Sequence, residues 1–480
     1  MTDDLRPLVL DVDGTFLKTD LLYECFWAGL GRDPRATLRA TLRDFRHPAR
    51  LKAELAAIAG LRADLVPVNP DIADAAMQAL RDGREVALAS ASDERLVRAL
   101  AQEYGLAPRV FASTPGHNLK GAAKAEALVE AYGEQGFDYA GDAAVDRPIW
   151  ARAHTALVVG QPRIAEALSR AGKPVEALAG GWRARDLIRA LRPHQWVKNV
   201  LLFVPMLAAH QFSTAAFLLV LMGIIAFSAA ASSIYIVNDL LDLEADRLHP
   251  TKRRRPFASG AVPIRIGMAT SAVLALGALA IGAWLGPAFF GVVVLYMILS
   301  LSYSLRLKRL RWVDIATLAA LYTLRVIAGA AAMQGEVSVY LLVFIYPVFL
   351  TLGCVKRMTE LSRAADDDPL PGRGYGKRDM GDLLNVAYLG MFAALMNFFL
   401  YSFSDQATRL YETRWLIWLA LVPIAMWLRR MIRLGYLGQQ NYDPVVFAMK
   451  DTRGIALVLI TLMILFAAAG LWQQWFAAWE

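Results

Sequence analysis

Three aspartates stand at the end of a long apolar run, in Asn238-Asp239-Leu-Leu-Asp242-Leu-Glu-Ala-Asp246. On a helix turning about 100° per residue, Asp239, Asp242 and Asp246 share roughly a 60° sector. Like charges on one face repel, so a bare helix does not favour this layout. A divalent cation with oxygen ligands relieves the repulsion, and such a cation bridges to substrate phosphates. The basic run Lys252-Arg253-Arg254-Arg255 follows at once. Acid for metal and base for phosphate, beside an apolar span, predict an enzyme acting on a diphosphate.

A second constellation lies near the N-terminus. The apolar strand Leu8-Val9-Leu10 ends in Asp11-Val12-Asp13-Gly14-Thr15. Two aspartates one residue apart at a strand end point into one cleft. Val86-Ala87-Leu88-Ala89 ends in Ser90-Ala91-Ser92, and Leu119-Lys120-Gly121-Ala122-Ala123-Lys124 opens a helix. Phe137-Asp138-Tyr139-Ala140 ends in Gly141-Asp142-Ala143-Ala144-Val145-Asp146. Strands alternating with helices predict a parallel, doubly wound sheet with its site at the carboxyl ends of the strands. Residues 16–80 are too long for a strand-to-helix turn and read as a small helical cap.

These elements sit in a chain of 480 residues that is 56% hydrophobic, too apolar for one soluble domain. Residues 1–178 read as a soluble α/β domain, 179–195 as a linker with an interfacial helix, and 196–480 as a polytopic membrane domain. The linker helix, Trp182 to Arg192, sets apolar residues on one face and arginines on the other. Nine apolar segments follow, near 196–210, 214–238, 264–284, 286–304, 312–333, 338–356, 382–403, 415–432 and 454–475. Loops after even-numbered segments hold the lysines and arginines, whereas the opposite loops hold only Arg409 and Arg414. That asymmetry predicts a cytoplasmic N-terminus, an external C-terminus and a bacterial-type inner membrane. Much of the net charge of +8 sits in these loops, and no nucleic-acid partner is expected. Cys25 and Cys354 form no metal spacing, and no cleavable signal precedes the first strand.

The first domain resembles the haloacid dehalogenase-like phosphatases over roughly residues 6–165, on four motifs in order. The resemblance implies that Asp11 attacks phosphorus and that Asp13 protonates the leaving alkoxide and later activates water. It implies that Ser90 and a lysine hold the phosphoryl oxygens. Lys124 suits that position better than Lys120. Mg²⁺ would be bound by Asp142, Asp11 and the carbonyl of Asp13, supported by Asp146.

The membrane domain resembles the UbiA-type prenyltransferase superfamily over roughly residues 186–476. The acidic motif carries the resemblance, with His249-Pro250-Thr251-Lys252-Arg253-x-Arg255-Pro256 and Gly260 after it. Arg192-Pro193-x-Gln195-Trp196-x-Lys198-Asn199 and Tyr303-Ser304-x-x-x-Lys308 extend it. It implies a nine-helix bundle around a cavity open to lipid, with Asp239 and Asp242 catalytic and Asn238, Asp239, Asp242 and Asp246 around Mg²⁺. Members carry a second aspartate-rich motif after the sixth span, where this chain has Lys356-Arg357-Met-Thr-Glu360; Asp366-Asp367-Asp368 nearby reads as loop. Lost acid and gained cation suit a cavity with more phosphate to neutralise.

That departure resembles the decaprenyl-phosphate phosphoribosyltransferase-like branch, whose substrates are phosphoribosyl diphosphate and polyprenyl phosphate. Lys198, Lys252, Arg253, Arg255, Lys308 and Lys356 would supply counter-charge, with Tyr303 at the phosphate and Glu360 beside it. Arg325, inside the fifth span, is a functional candidate or half of an ion pair with Asp314. The expectation is a bifunctional enzyme: transfer of 5-phosphoribose to polyprenyl phosphate, then removal of the 5-phosphate. The alternatives are prenyl transfer from a diphosphate to an aromatic or polar acceptor, and a lipid-binding protein with a regulatory domain. A homo-oligomer is left open.

Overall fold

The structure, a computed structural model, describes residues 5–364, 373–440 and 443–472. Asp366, Asp367 and Asp368 lie outside the described residues. The chain divides into two compact units, residues 1–191 with 235–271, and residues 192–234 with 272–480.

The first unit holds six parallel strands: β1 (Leu8–Asp11), β2 (Val86–Asp93), β3 (Val110–Ser113), β4 (Asp138–Gly141), β5 (Ala156–Val159) and β6 (Val175–Leu178). Their order is β3-β2-β1-β4-β5-β6, the doubly wound arrangement expected. Alternation along β1 sends Leu8 and Leu10 into one core with Leu88 and Val97, and Val9 into the other with Tyr139 and Trp150. Both faces are thus covered, which is why β1 and β4 are buried at every position.

After β1 the chain turns into the expected cap, helices Leu21–Arg32, Pro34–Asp44 and Pro48–Ala59. Asp20 caps the first by accepting from Leu22 N. Asp33 caps the second ahead of Pro34, an N-cap acid followed by a first-turn proline. Cys25, Leu55, Ala56 and Ala59 pack the cap together.

Among the described residues, the regular elements of the second unit are all helices. Seven helices of the described chain are long and apolar enough to cross a membrane, running from Thr214–Leu241 to Trp415–Tyr436. The two terminal segments expected to complete nine are shorter. Thr452–Ala468 spans 17 residues. The first segment is a 3₁₀ stretch, Pro193–Phe203, followed by the short helix Val204–Ala208. Pro205 has no N–H to give, and its ring clashes with a carbonyl one turn back, so the two pieces cannot merge into one α-helix. The 3₁₀ stretch lies against Gly329, where a β-carbon would stand 2.0 Å from the Leu202 carbonyl oxygen.

Candidate active sites

The carboxyl ends of β1, β2 and β4 bring the phosphatase-like residues together. Asp11 is buried, and Lys124 Nζ donates to its Oδ1 at 2.5 Å. Lys124 also donates to the Ala89 carbonyl at 3.3 Å and to the Tyr139 hydroxyl at 3.1 Å. It is therefore Lys124 that serves Asp11, while Lys120 is exposed. Tyr139 OH in turn donates to Asp146 Oδ1 at 3.2 Å. Asp13 Oδ2 accepts from Ser90 Oγ at 3.1 Å and Ser92 Oγ at 2.7 Å, and its Oδ1 accepts from Leu21 N at 2.8 Å. Gly14 closes the turn at φ +82°, where a β-carbon would lie 2.4 Å from Asp142 Oδ2.

Asp11, Asp142 and Asp146 each offer an oxygen within 4.8 Å of the others. Burial pushes Asp11 up to about 8 against the pull of Lys124, with Asp146 and Asp13 adding to the rise. Burial, Asp146 and Asp13 raise Asp142 to about 6. Crowded carboxylates that raise one another are a donor set for a hard divalent cation, so these residues fit Mg²⁺.

Sequence reasoning named Ser92 at a strand end without giving it a role, and missed Lys52. Ser92 stands two residues past Ser90 and shares its acceptor. Lys52 comes from the cap: its Nζ donates to the Ala91 carbonyl at 2.5 Å, between the two serines. Burial lowers its pKa, while Asp13 and Asp20 oppose that fall. No spacing in the sequence pairs a lysine of the cap with β2.

The acidic motif straddles a break between two helices. The long helix ends at Leu241, Asp242 breaks it with φ −99° and ψ 13°, and a short helix runs Leu243–Leu248. Asp239 and Asp246 nevertheless converge, because Arg255 Nη1 donates to Asp239 Oδ1 at 3.1 Å and to Asp246 Oδ2 at 2.7 Å. Of the basic run, Arg255 is thus engaged with the acids, whereas Lys252 and Arg253 are exposed. Burial raises Asp246 despite Arg255. Beside them Asn238 Oδ1 is buried and accepts no hydrogen bond from the described residues. A buried orphan oxygen next to carboxylates suits an ion that prefers oxygen ligands, so this donor set also fits Mg²⁺.

In the second unit, Lys198 and Lys356 converge on a residue the sequence had not singled out. Their Nζ atoms lie 3.1 and 3.0 Å from Asp443 Oδ2, and Tyr322 OH donates to Asp443 Oδ1 at 2.8 Å. Burial opposes the charge on Asp443, but Lys356 and Lys198 hold its carboxyl well below the usual range. Asp443 precedes Pro444 at a helix start, which in sequence resembles ordinary capping.

Arg357 turns the other way. It is fully buried, donates to Asp314 at 2.5 and 3.0 Å, and pairs with Glu360. Tyr303 OH donates to Asp314 Oδ1 at 2.8 Å and accepts from Arg357 and Arg373 at 3.1 and 3.0 Å. The partner expected for Arg325 is therefore taken. Asp314 and Arg325 are eleven residues apart on one helix, about 16 Å along its axis. Arg325 instead donates to Asn199 Oδ1 at 3.0 Å, the Leu321 carbonyl at 2.6 Å and the Tyr296 hydroxyl at 3.1 Å. Lys308 sits in the single turn Leu307–Arg309.

An apolar cavity of about 620 Å³ lies within the second unit, with Val200, Leu201, Phe349, Leu352 and Val445 on its wall. Val445 follows Asp443 by two residues, and Phe349 stacks on Tyr322 with ring centroids 4.8 Å apart. One end of the cavity thus adjoins the lysine–aspartate cluster.

Residues 200–442 match the UbiA prenyltransferase family. The uncharacterized protein y4nM of Sinorhizobium fredii is 33% identical over 458 residues, 94% of this chain and 88% of that one. Nodulation protein NoeC of Azorhizobium caulinodans is 32% identical over 284 residues, 57% of this chain and 92% of that one. Decaprenyl-phosphate phosphoribosyltransferase of Mycobacterium tuberculosis is 39% identical over 184 residues, 37% of this chain and 61% of that one. The sheet order and the motifs at its carboxyl edge agree with a haloacid dehalogenase-like N-terminal unit. A family match over half the sequence, and a relative that shares a third of its residues along nearly the whole length, make this multi-pass membrane protein a member of the UbiA prenyltransferase family.

Proposed function

We propose that this chain transfers 5-phosphoribose from phosphoribosyl diphosphate to a polyprenyl phosphate and then removes the 5-phosphate. The observation that carries the transferase half is the pair Lys198 and Lys356, set at the end of an apolar cavity. A lipid phosphate has the shape and charge for such a place: its chain fills the cavity and its head group meets two ammonium groups. The 39% identity to the mycobacterial phosphoribosyltransferase supports the same substrate pair.

Asn238, Asp239, Asp242 and Asp246 would hold Mg²⁺, which neutralises the departing diphosphate. Arg255, and with it Lys252 and Arg253, would contact the diphosphate oxygens, while Tyr303 and Lys308 would serve the 5-phosphate. A phosphate oxygen of the lipid attacks the anomeric carbon, the bond from that carbon to the diphosphate oxygen breaks, and diphosphate leaves with the electron pair. The N-terminal unit then acts on the phosphomonoester. Asp11 forms a bond to phosphorus, the P–O5 bond breaks, and Asp13 gives its proton to the ribose oxygen. Asp13 next takes a proton from water, which hydrolyses the aspartyl-phosphate. Lys124 pairs with Asp11 and keeps it aimed, Ser90 and Ser92 orient Asp13, and Asp142 and Asp146 complete the Mg²⁺ ligands. We place the chain in an inner membrane, with its N-terminal domain and acidic motif on the cytoplasmic side. The extent of the match to y4nM supports the tandem, because it takes in both units.

The test is mass spectrometry of lipids formed by membranes given Mg²⁺, polyprenyl phosphate and labelled phosphoribosyl diphosphate. Wild type should yield polyprenyl-phosphoryl-ribose, Asp11→Asn the 5-phosphorylated lipid, and Asp239→Ala neither. Label entering lipid from a prenyl diphosphate instead would replace this reading with simple prenyl transfer. An Asp11→Asn variant that makes the final lipid would remove the phosphatase step.

A further inference from the structure

Arg247 follows Asp246 on the short helix Leu243–Leu248, and all three of its guanidinium nitrogens are used. Nη2 and Nη1 donate to Glu24 Oε1 and Oε2 at 2.6 and 3.1 Å, and Nε donates to the Ala258 carbonyl at 3.1 Å. Glu24 belongs to the cap helix Leu21–Arg32 of the phosphatase-like fold. The pair is sealed from water, with side chains 1% exposed for Glu24 and 7% for Arg247. Thr19 Oγ1 donates to Glu24 Oε1 at 2.8 Å and fixes the carboxylate from behind.

Two further contacts join the same surfaces. Gly260 adopts φ +69°, and a β-carbon there would lie 2.5 Å from Lys18 Cβ. Arg32 lies 3.6 Å from Glu244. The turn at 256–260 and the helix bearing Asp246 therefore both rest on the phosphatase-like domain. The helix carries Asp246, and Arg255, its partner, stands immediately before the turn. Arg247 ties one to the other through Ala258, and Glu24 holds Arg247.

We propose that Glu24 is a positioning residue for the transferase: the phosphatase-like domain holds the acidic motif in the shape that receives diphosphate. This rests on the transferase reading above. A buried bidentate pair is a rigid link, and removal of one partner leaves the other charge without compensation. The helix must then move to hydrate Arg247, taking Asp246 with it. The fusion of the two domains thus has a mechanical reason besides the sequence of reactions.

The test uses the full chain in detergent with Mg²⁺. Glu24→Gln should weaken diphosphate binding, read by calorimetry, at least tenfold, and speed hydrogen exchange in 243–260. It should lower diphosphate release from phosphoribosyl diphosphate by a similar factor. Glu24→Gln with Arg247→Gln, a neutral pair, should do no worse than either change alone, which a general loss of folding would not produce. Should Glu24→Gln fail to fold, Arg247→Lys keeps the charge but loses the bidentate contact and should weaken diphosphate binding at least threefold. Wild-type diphosphate affinity and exchange in Glu24→Gln, or wild-type affinity in Arg247→Lys when Glu24→Gln does not fold, overturns the proposal. Failure of the transferase reading looks different: wild type then releases no diphosphate from phosphoribosyl diphosphate, yet Glu24→Gln still loses diphosphate affinity.

Discussion

Asp443→Asn is the most informative perturbation of the membrane unit. Lys198 and Lys356 reach one oxygen of Asp443 at 3.1 and 3.0 Å. Asn keeps the shape and removes the charge, leaving two ammonium groups about 5 Å apart, a repulsion of about 3 kcal/mol at an effective dielectric near 20. Tyr322 keeps a weaker acceptor, a further loss of about 1 kcal/mol at most. At about 2–4 °C per kcal/mol for a large domain, the melting temperature should drop by about 6–16 °C. Inorganic phosphate should restore part of that loss in the variant, because an anion replaces the missing carboxylate, and should leave wild type nearly unchanged. Thermal unfolding in detergent, with and without phosphate, reads both effects. A variant that melts with wild type, or that gains nothing from phosphate, would refute the idea that this lysine pair is an anion site whose resting occupant is Asp443.

Other consequences follow from single contacts. Arg255→Ala should leave Asp239 and Asp246 repelling each other and cut diphosphate release at least tenfold, whereas Arg255→Lys, limited to point contacts, should fall between. Ser92→Ala removes a 2.7 Å bond to Asp13; loss of a bond to a charged acceptor is worth about 1.5–3 kcal/mol, so phosphomonoester hydrolysis should slow about tenfold or more at unchanged KM. Lys52→Met should raise KM for the 5-phosphorylated lipid far more than for p-nitrophenyl phosphate, because a cap lysine beside the serines meets the rest of the substrate. Gly329→Ala should yield little folded protein by size-exclusion chromatography, since the added methyl meets backbone atoms of Leu202 that cannot step aside.

Much of this protein was legible from local pattern. A strand buried on both faces reads as a continuous apolar run, and a membrane span as a longer one. The three central strands, the cap and the seven long helices follow from such runs, and so does the position of Asp11, Asp13, Asp142 and Asp146 at strand ends; the edge strands β3 and β6, less buried and carrying polar residues such as Glu176, left no such run. Charges that must meet across space left no such trace. The sequence offered Asp239, Asp242 and Asp246 as one helical face; it gave no sign of the break at Asp242 or of Arg255 as the partner that Asp239 and Asp246 share. Lys356 and Arg357 are neighbours in sequence, yet a helix turns them about 100° apart, one toward Asp443 and the other toward Asp314. Lys52 enters the site at the strand ends from the cap, and Glu24 meets Arg247 across more than two hundred residues. Pattern along the chain selects the elements because burial acts residue by residue; the partner of each buried charge is decided only when distant elements close on one another and water is gone.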